Sequence, residues 1–328
     1  MMERLIHKPV MRRLYAKGRR KDEGWAQGNP SQPAPAILPY GIIHSMLELV
    51  PLEPVDYLVV GHLAVDITPR GNQLGGTVSY AALTARALGL RVGIVTSAGS
   101  DAPLGALDGI PMVNVPAEYS TTFENIKTEN GRRQMLHHQA APILLDHIPQ
   151  VWRNAPIIHL APIARELDSS LAEKLSSSLL GITPQGWMRT WGEAGQVSAC
   201  KWENSEGALN RAGAVVMSLE DVERDLELAE EMAHHTRIFC LTEGAAGAVL
   251  HWNGDRRRFR PPVMDEVDST GAGDIFAAAL FSRLYHTRDP WEAARFATQL
   301  AARSVTRAGL QGIPTLREVE ECLMEVLQ

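Results

Sequence analysis

Six short runs of the chain are apolar almost from end to end, and this pattern restricts the fold more than any other feature. They are Tyr57-Leu58-Val59-Val60-Gly61, Val92-Gly93-Ile94-Val95-Thr96, Ile157-Ile158-His159-Leu160, Ala214-Val215-Val216-Met217, Ile238-Phe239-Cys240-Leu241 and Ala248-Val249-Leu250. A strand with one wet face alternates apolar and polar residues, whereas these runs read as strands covered on both faces. Helical patterning at about residues 78–88, 169–179, 219–233, 272–285, 290–306 and 315–327 falls between and after them, the first stretch ending at Gly89 as a glycine C-cap. Apolar strands alternating with helices predict an α/β fold: a mostly parallel central sheet between two helical layers.

Two regions depart from this rhythm. Thr121–Ile126 and Arg132–His138 flank Glu129-Asn130-Gly131, and Asn-Gly between strand-like runs predicts a hairpin because both residues tolerate positive φ. An antiparallel hairpin at about residues 119–140 is expected to form a small β lid, or else to decorate the surface. The first 45 residues hold eight Lys/Arg against three acids, leaving 24 Lys/Arg and 35 acids in the remainder, and run into Gly28-Asn29-Pro30-Ser31-Gln32-Pro33-Ala34-Pro35. Such a head has little to bury. It reads as a solvated tail, as an extension upstream of a natural start at Met46, or as a docking arm, with the main domain over about 55–328.

Composition narrows the function. A formal charge of −6 over 328 residues argues against nucleic acid as the main partner, which requires a basic face. No apolar run approaches the ~20 residues of a membrane helix. Cys200, Cys240 and Cys322 are widely spaced and odd in number, which suits reduced thiols in the cytoplasm better than a disulfide framework. The pairs His137-His138 and His234-His235 lack the i, i+4 spacing of a helical chelate. Arg256-Arg257-Arg258 beside Asn253-Gly254 reads as a solvated hairpin end, and Trp187, Trp191 and Trp202 as packing residues.

The chemistry is concentrated in Asp268-Ser269-Thr270-Gly271-Ala272-Gly273-Asp274-Ile275-Phe276, followed by Ala277-Ala278-Ala279-Leu280. Gly-Ala-Gly opens an Ala-rich helix whose small residues let a ligand approach the backbone. The unpaired first-turn N–H groups and the helix dipole bind an anion there. Asp274 places a carboxylate in that first turn. Phosphoryl transfer needs this pairing: donors for charge developing on the phosphoryl group, and a base for the attacking hydroxyl. The plainer alternative is a glycine-rich helix start with a dipole-friendly acid. The G-x-G-x-x-G fingerprint is absent, with Phe276 at its third glycine position, and so is a Walker A sequence.

The segment Asp268–Asp274 resembles the D-[TS]-T-G-A-G-D signature of the PfkB-type, ribokinase-like carbohydrate kinases. Other segments resemble that family in the same order: Gly61-His62-Leu63-Ala64-Val65-Asp66 its opening strand, Gly75-Gly76 with Ala81, Ala82, Leu88 and Gly89 its Gly-Gly loop and first helix, Gly99-Ser100-Asp101 its G-x-D turn, and Thr242-Glu243-Gly244-Ala245-Ala246-Gly247-Ala248 its T-x-G-x-x-G nucleotide segment. The resemblance implies a three-layer ribokinase-like domain with a small β lid, and ATP-dependent phosphorylation of a hydroxyl on a sugar, cyclitol or nucleoside. By the same resemblance Asp274 would be the general base and Gly271, Ala272 and Gly273 the anion hole. Asp66, Gly75, Gly76 and Tyr80 would hold the acceptor, and Thr242, Gly244 and Asp221 would face the nucleotide. Mg2+ would bridge the phosphates, with Asp268 and Thr270 beside a site for K+. The chain would work as a monomer or homodimer, with a small-molecule acceptor and ATP as partners, and with neither nucleic acid nor membrane.

Departures from the family pattern bear on the acceptor. Tyr80 stands where relatives usually carry Asn. Ser218-Leu219-Glu220-Asp221 replaces N-x-x-E, and Thr183-Pro184-Gln185-Gly186 occupies the place of Asp-Pro. Together these look closest to the inositol-kinase-like branch. Two alternatives stay open: a ligand-binding protein that keeps the fold without catalysis, and a kinase for an already phosphorylated sugar, with Arg70, Arg132 or Arg133 as a basic acceptor pocket.

Overall fold

The computed structural model describes residues 52–69, 71–128 and 131–324. The basic head, Arg70 and the Glu129-Asn130 turn lie outside the described residues. So do the side chain of Arg132 and the last four residues, into which the expected final helix ran.

In chain order the strands are β1 (Tyr57–Val60), β2 (Ala64–Thr68), β3 (Gly71–Gly75), β4 (Val92–Ala98), β5 (Met112–Pro116), β6 (Thr121–Thr128), β7 (Gly131–His138), β8 (Ile157–Leu160), β9 (Leu179–Ile182), β10 (Arg189–Trp191), β11 (Val197–Ala199), β12 (Ala214–Ser218), β13 (Ile238–Thr242), β14 (Ala248–Trp252) and β15 (Asp255–Phe259). The helices are α1 (Thr77–Ala87), α2 (Leu171–Lys174), α3 (Ser205–Arg211), α4 (Leu226–His234), α5 (Ala272–Thr287), α6 (Pro290–Ser304) and α7 (Leu316–Leu323).

Among the described residues, a nine-stranded sheet runs in the order β15-β14-β13-β12-β9-β8-β1-β4-β5. It is parallel from β13 to β5, with β14 and β15 antiparallel at one edge. All six apolar runs are strands of this sheet. Val59, Ile94, Ile157 and Val216 pack with α1, α5 and α6 in one apolar layer, while Leu58, Val95, Ile158 and Val215 pack with α3 and α4 in the other. This is the expected three-layer α/β architecture.

Local chemistry sets the element ends. Gly89, at φ 83, closes α1 with its N–H donating to Arg86 O at 3.0 Å, as a left-handed residue past a helix end does. Asn253 and Gly254, at φ 51 and 79, form the two-residue turn between β14 and β15. Asp225 caps α4 by accepting from the N–H groups of Glu227 and Leu228. That helix therefore begins at Leu226 rather than 219, and left-handed Glu223 and Arg224 fill the approach.

The helix expected over 169–179 is a single turn, α2, followed by strand β9. Tertiary packing explains the difference. A Cβ on Gly181 would stand 2.5 Å from the Phe281 ring, so the glycine lets α5 lie directly on the middle of the sheet. Trp187 and Trp202 are buried and stacked, ring centroids 4.7 Å apart.

A four-stranded sheet, β3-β2-β6-β7, stands apart from the central one. It contains the expected hairpin as β6 and β7. The Gly61–Asp66 segment is not one strand: β1 ends at Val60, and β2 begins at Ala64 in the smaller sheet. Between them, the buried His62 ring bonds Thr121 Oγ1 at 2.6 Å and Ala141 O at 2.8 Å. The Gly99-Ser100-Asp101 turn braces the same root, since Asp101 accepts from Ser120 N–H at 2.9 Å and from its hydroxyl at 2.8 Å.

Candidate active site

Parallel strands end together at the carboxyl edge of the central sheet, the usual place for a ligand crevice in such folds. Ser218 of β12 lies in register with Thr242 of β13. Leu219 N–H donates to Thr242 O at 2.9 Å, and the Thr242 hydroxyl reaches Met217 O at 3.3 Å. The Ser218–Asp221 turn and the Thr242–Gly247 loop are thus joined, and Gly244 begins the loop's 3-10 turn at φ 57.

The helix start is built as its sequence implies. Gly271 is the N-cap of α5, in the left-handed region at φ 80, with no side chain capping the helix. The first N–H groups of a 16-residue helix thus lack a side-chain cap. Asp274 sits in the first turn, partly buried, and its carboxylate is hydrogen-bonded to the Thr77 side chain at the first residue of α1. Burial raises the Asp274 carboxyl to about pKa 6, with Asp221 and Asp66 pushing the same way, against the Thr77 hydrogen bond and Arg189. Burial likewise raises Asp221, although it accepts Ser218 N–H at 2.8 Å and the Gln185 amide at 3.1 Å.

Asp66 of β2 faces the same place. A Cβ on Gly75 would lie 1.9 Å from Asp66 Oδ2, so Gly75 is the surface on which that carboxylate rests. Gly76, at φ 82, is the N-cap of α1. Two glycine-opened helices therefore meet at the crevice. Tyr80 is 2% exposed, and its ring fills the volume above Gly271, where a Cβ would lie 2.2 Å from Tyr80 Cε1. Burial, with the charges of Asp274, Asp66 and Asp268, pushes the Tyr80 phenol up, so it stays protonated. Tyr80 is thus a support packed against the helix start, with its hydroxyl toward Gly309, where a Cβ would lie 3.8 Å from it. Gly271→Ala combines a strained φ with a ring clash and is expected to cost about 2–5 kcal/mol, read as a lowered melting temperature.

Asp268 accepts Thr270 N–H at 3.0 Å and Gly309 N–H at 2.9 Å, one on each carboxylate oxygen. It braces two loops in this way. For divalent ions, no group of three or more His, Cys, Asp or Glu gathers among the described residues. Asp221 fits the mode in which one carboxylate and the substrate phosphates share Mg2+. Arg133, the described member of the three arginines considered for a phosphorylated acceptor, is exposed on β7.

Sequence motifs did not single out Arg189, at the start of β10, which draws Asp274 and Asp221 downward. Glu166 also escaped notice. It is 2% exposed and accepts the N–H groups of His62, Ile163 and Ala164 at 2.7–3.1 Å. Neither lies in a recognisable motif, and only the fold shows what each touches.

The chain resembles known proteins in sequence and in fold. Residues 207–316 match the pfkB family carbohydrate kinase model. The chain is 39% identical over 101 residues to a ribokinase of Bacillus subtilis, covering 30% of this chain and 34% of that protein. It is 24% identical over 288 residues to a cytidine kinase of Thermococcus kodakarensis, covering 78% of this chain and 98% of that protein. Among solved structures, a pyrophosphate-dependent kinase in the ribokinase family superposes with TM-score 0.68 at 19% identity, over 81% of this chain and 100% of that one. A ribokinase of Thermotoga maritima gives TM-score 0.64 at 18% identity, over 82% and 99%. Those structural likenesses are likenesses of fold, and the matched segment 207–316 adds the motif-bearing helix start of α5. The chain thus resembles the pfkB carbohydrate kinases in sequence over residues 207–316, and its fold is that of the ribokinase-like type.

Proposed function

We propose that this protein transfers the γ-phosphoryl group of ATP to a hydroxyl of a sugar, cyclitol or nucleoside. The observation that carries the reading is the Asp274 carboxyl, held at about pKa 6 in the first turn of a helix that opens on Gly271. A base with a pKa near working pH both accepts and releases a proton readily.

In the mechanism, Asp66 and the backbone at Gly75-Gly76 orient the acceptor so that its hydroxyl faces Asp274. Asp274 takes the hydroxyl proton as the oxygen attacks phosphorus in line. The backbone of Gly271, Ala272 and Gly273 at the start of α5 meets the charge that develops on the phosphoryl oxygens. Thr242, Gly244 and the Asp221 turn line the nucleotide side. Asp221 is the carboxylate that would hold Mg2+, which would supply neutralisation of phosphate charge. K+ beside Asp268 and Thr270 would share a carboxylate that already accepts two backbone N–H groups. The β3-β2-β6-β7 sheet acts as a lid over the acceptor, and its closure excludes water.

The test is turnover of purified protein with Mg2+ and K+ against a panel of sugars, cyclitols and nucleosides, using ATP and, separately, pyrophosphate as donor. One class of acceptor should be phosphorylated with ATP, and Asp274→Asn should abolish it. Tight ATP binding without transfer to any acceptor would favour a binding protein that kept the fold.

A further inference from the structure

Arg189 occupies a position that its sequence context does not announce. It follows directly on the 3-10 turn Gln185–Met188, whose Gln185 holds Asp221, and it opens β10. Its Nη1 donates to Ile163 O at 3.2 Å, and its guanidinium carbon lies 5.6 Å from the centroid of Phe123. Phe123 is a buried ring of β6, in register with Asp66 of β2. Paired residues on neighbouring strands leave the same face of a sheet. The guanidinium is therefore held between the lid sheet and the crevice, close enough to Asp274 and Asp221 to act on both.

The hairpin that carries Arg189 is also fastened to the lid. Leu136 N–H of β7 donates to Gly195 O at 2.8 Å, and Met135 bridges Gln196. Gly195, at φ 77, permits this approach, because a Cβ there would lie 2.3 Å from Leu136 O. The hairpin that presents the arginine is thus joined, through the turn after β10, to the edge of the lid sheet.

Two carboxylates, Asp221 and Asp66, act on a third, Asp274, where a multiply charged phosphoryl group must arrive. Unrelieved, they would repel it. A guanidinium is permanently charged, planar and forked, and matches phosphate oxygens in pairs. Resting on a ring, it is pre-organised for that contact.

We propose that Arg189 is a catalytic residue of this chain: its guanidinium binds the equatorial oxygens of the phosphoryl group during transfer, and its seat on Phe123 makes that contact depend on the lid. The inference rests on the phosphotransfer reading above. In the step, the bond from the bridging β,γ-oxygen to phosphorus breaks and ADP keeps the electron pair. The acceptor oxygen forms the new bond, Asp274 takes its proton, and Arg189 keeps all of its own.

The experiment compares wild type with Arg189→Lys, Arg189→Gln and Phe123→Leu, measuring kcat, the KM of each substrate, ATP affinity by calorimetry, and the pH profile of kcat/KM. Arginines acting on transferred phosphoryl groups contribute 10³–10⁵ in rate, so Arg189→Gln should lose about 10³-fold in kcat and Arg189→Lys ~10–100-fold. ATP affinity and the acceptor KM should change by less than about threefold, since the contact forms in the transition state. Phe123→Leu, which only loosens the seat, should lower kcat by about fivefold.

The groups acting on Asp274 are Thr77 and Tyr80 from α1, Tyr57 from β1, Asp66 from β2, Asp221 after β12, and Arg189. Loss of the last removes the one cation among them, so the acid limb of kcat/KM should move to higher pH in Arg189→Gln and stay in Arg189→Lys. A folded Arg189→Gln with kcat within about threefold of wild type overturns the proposal, as does a loss confined to the acceptor KM. If Arg189→Gln fails to fold, unchanged kcat in both Arg189→Lys and Phe123→Leu overturns it. A wild type without phosphotransfer overturns the underlying reading as well, and is distinct from active variants beside an active wild type.

Discussion

Asp274→Asn should melt at a higher temperature than the wild type while losing nearly all turnover. A positioned general base contributes about 10²–10⁴ in rate, so kcat should fall by at least ~10²-fold, with smaller changes in the binding of either substrate. The stability gain comes from the same residue. Burial raises the carboxyl from 3.8 to about 6 in the folded protein, so the folded state binds its proton more tightly than the unfolded one. That favours folding relative to pH 7 wherever the group stays protonated. The benefit is full below about pH 4 and is lost as pH rises through 6. At neutral pH the ionised carboxylate therefore opposes folding by up to about 3 kcal/mol. Asparagine cannot ionise and escapes that opposition. Calorimetry should show a rise of roughly 5 °C at pH 7, vanishing near pH 4. An equal melting temperature at both pH values would mean that the carboxylate is well solvated, and would remove the basis for a base of raised pKa.

Glu166→Ala should be among the most destabilising single changes outside the apolar layers. The carboxylate accepts His62 N–H at 2.8 Å, Ile163 N–H at 3.0 and 3.1 Å, and Ala164 N–H at 2.7 Å, with 2% exposure. Alanine leaves three backbone donors without their acceptor. Each unsatisfied buried group costs about 1–3 kcal/mol, so a loss of about 3–6 kcal/mol is expected after some relaxation. Urea unfolding at pH 7 measures it. Glu166→Gln, which keeps one carbonyl acceptor but turns an N–H₂ toward backbone N–H groups, should fall between the two. Because Ile163 O anchors Arg189 and His62 leads into β2, both variants should lose activity beyond their loss of stability. A change below about 1 kcal/mol in Glu166→Ala would mean that water replaces the carboxylate.

Much of this protein follows from its sequence alone. Runs such as Val59-Val60 and Val215-Val216 are legible because a strand buried on both faces must be apolar throughout. The helix start at Gly271–Asp274 is legible because backbone donors, small residues and a carboxylate are all local. The Asn-Gly hairpin follows from turn chemistry, and the end of α1 at Gly89 from positive φ.

The rest required the tertiary structure. Leu179–Ile182 could have continued a helix until α5 packed Phe281 against Gly181. Ala64–Thr68 looked continuous with β1, but pairing with β3 and β6 carries it into the smaller sheet. Tyr80 stood at an acceptor position in the sequence, while its ring lies under Gly271. Arg189 and Glu166 carry no motif, because their partners, Phe123 and His62, are 66 and 104 residues away in the chain. Local propensity fixes an element and its ends, whereas the charge that faces a carboxylate is set by which strands and helices pack together.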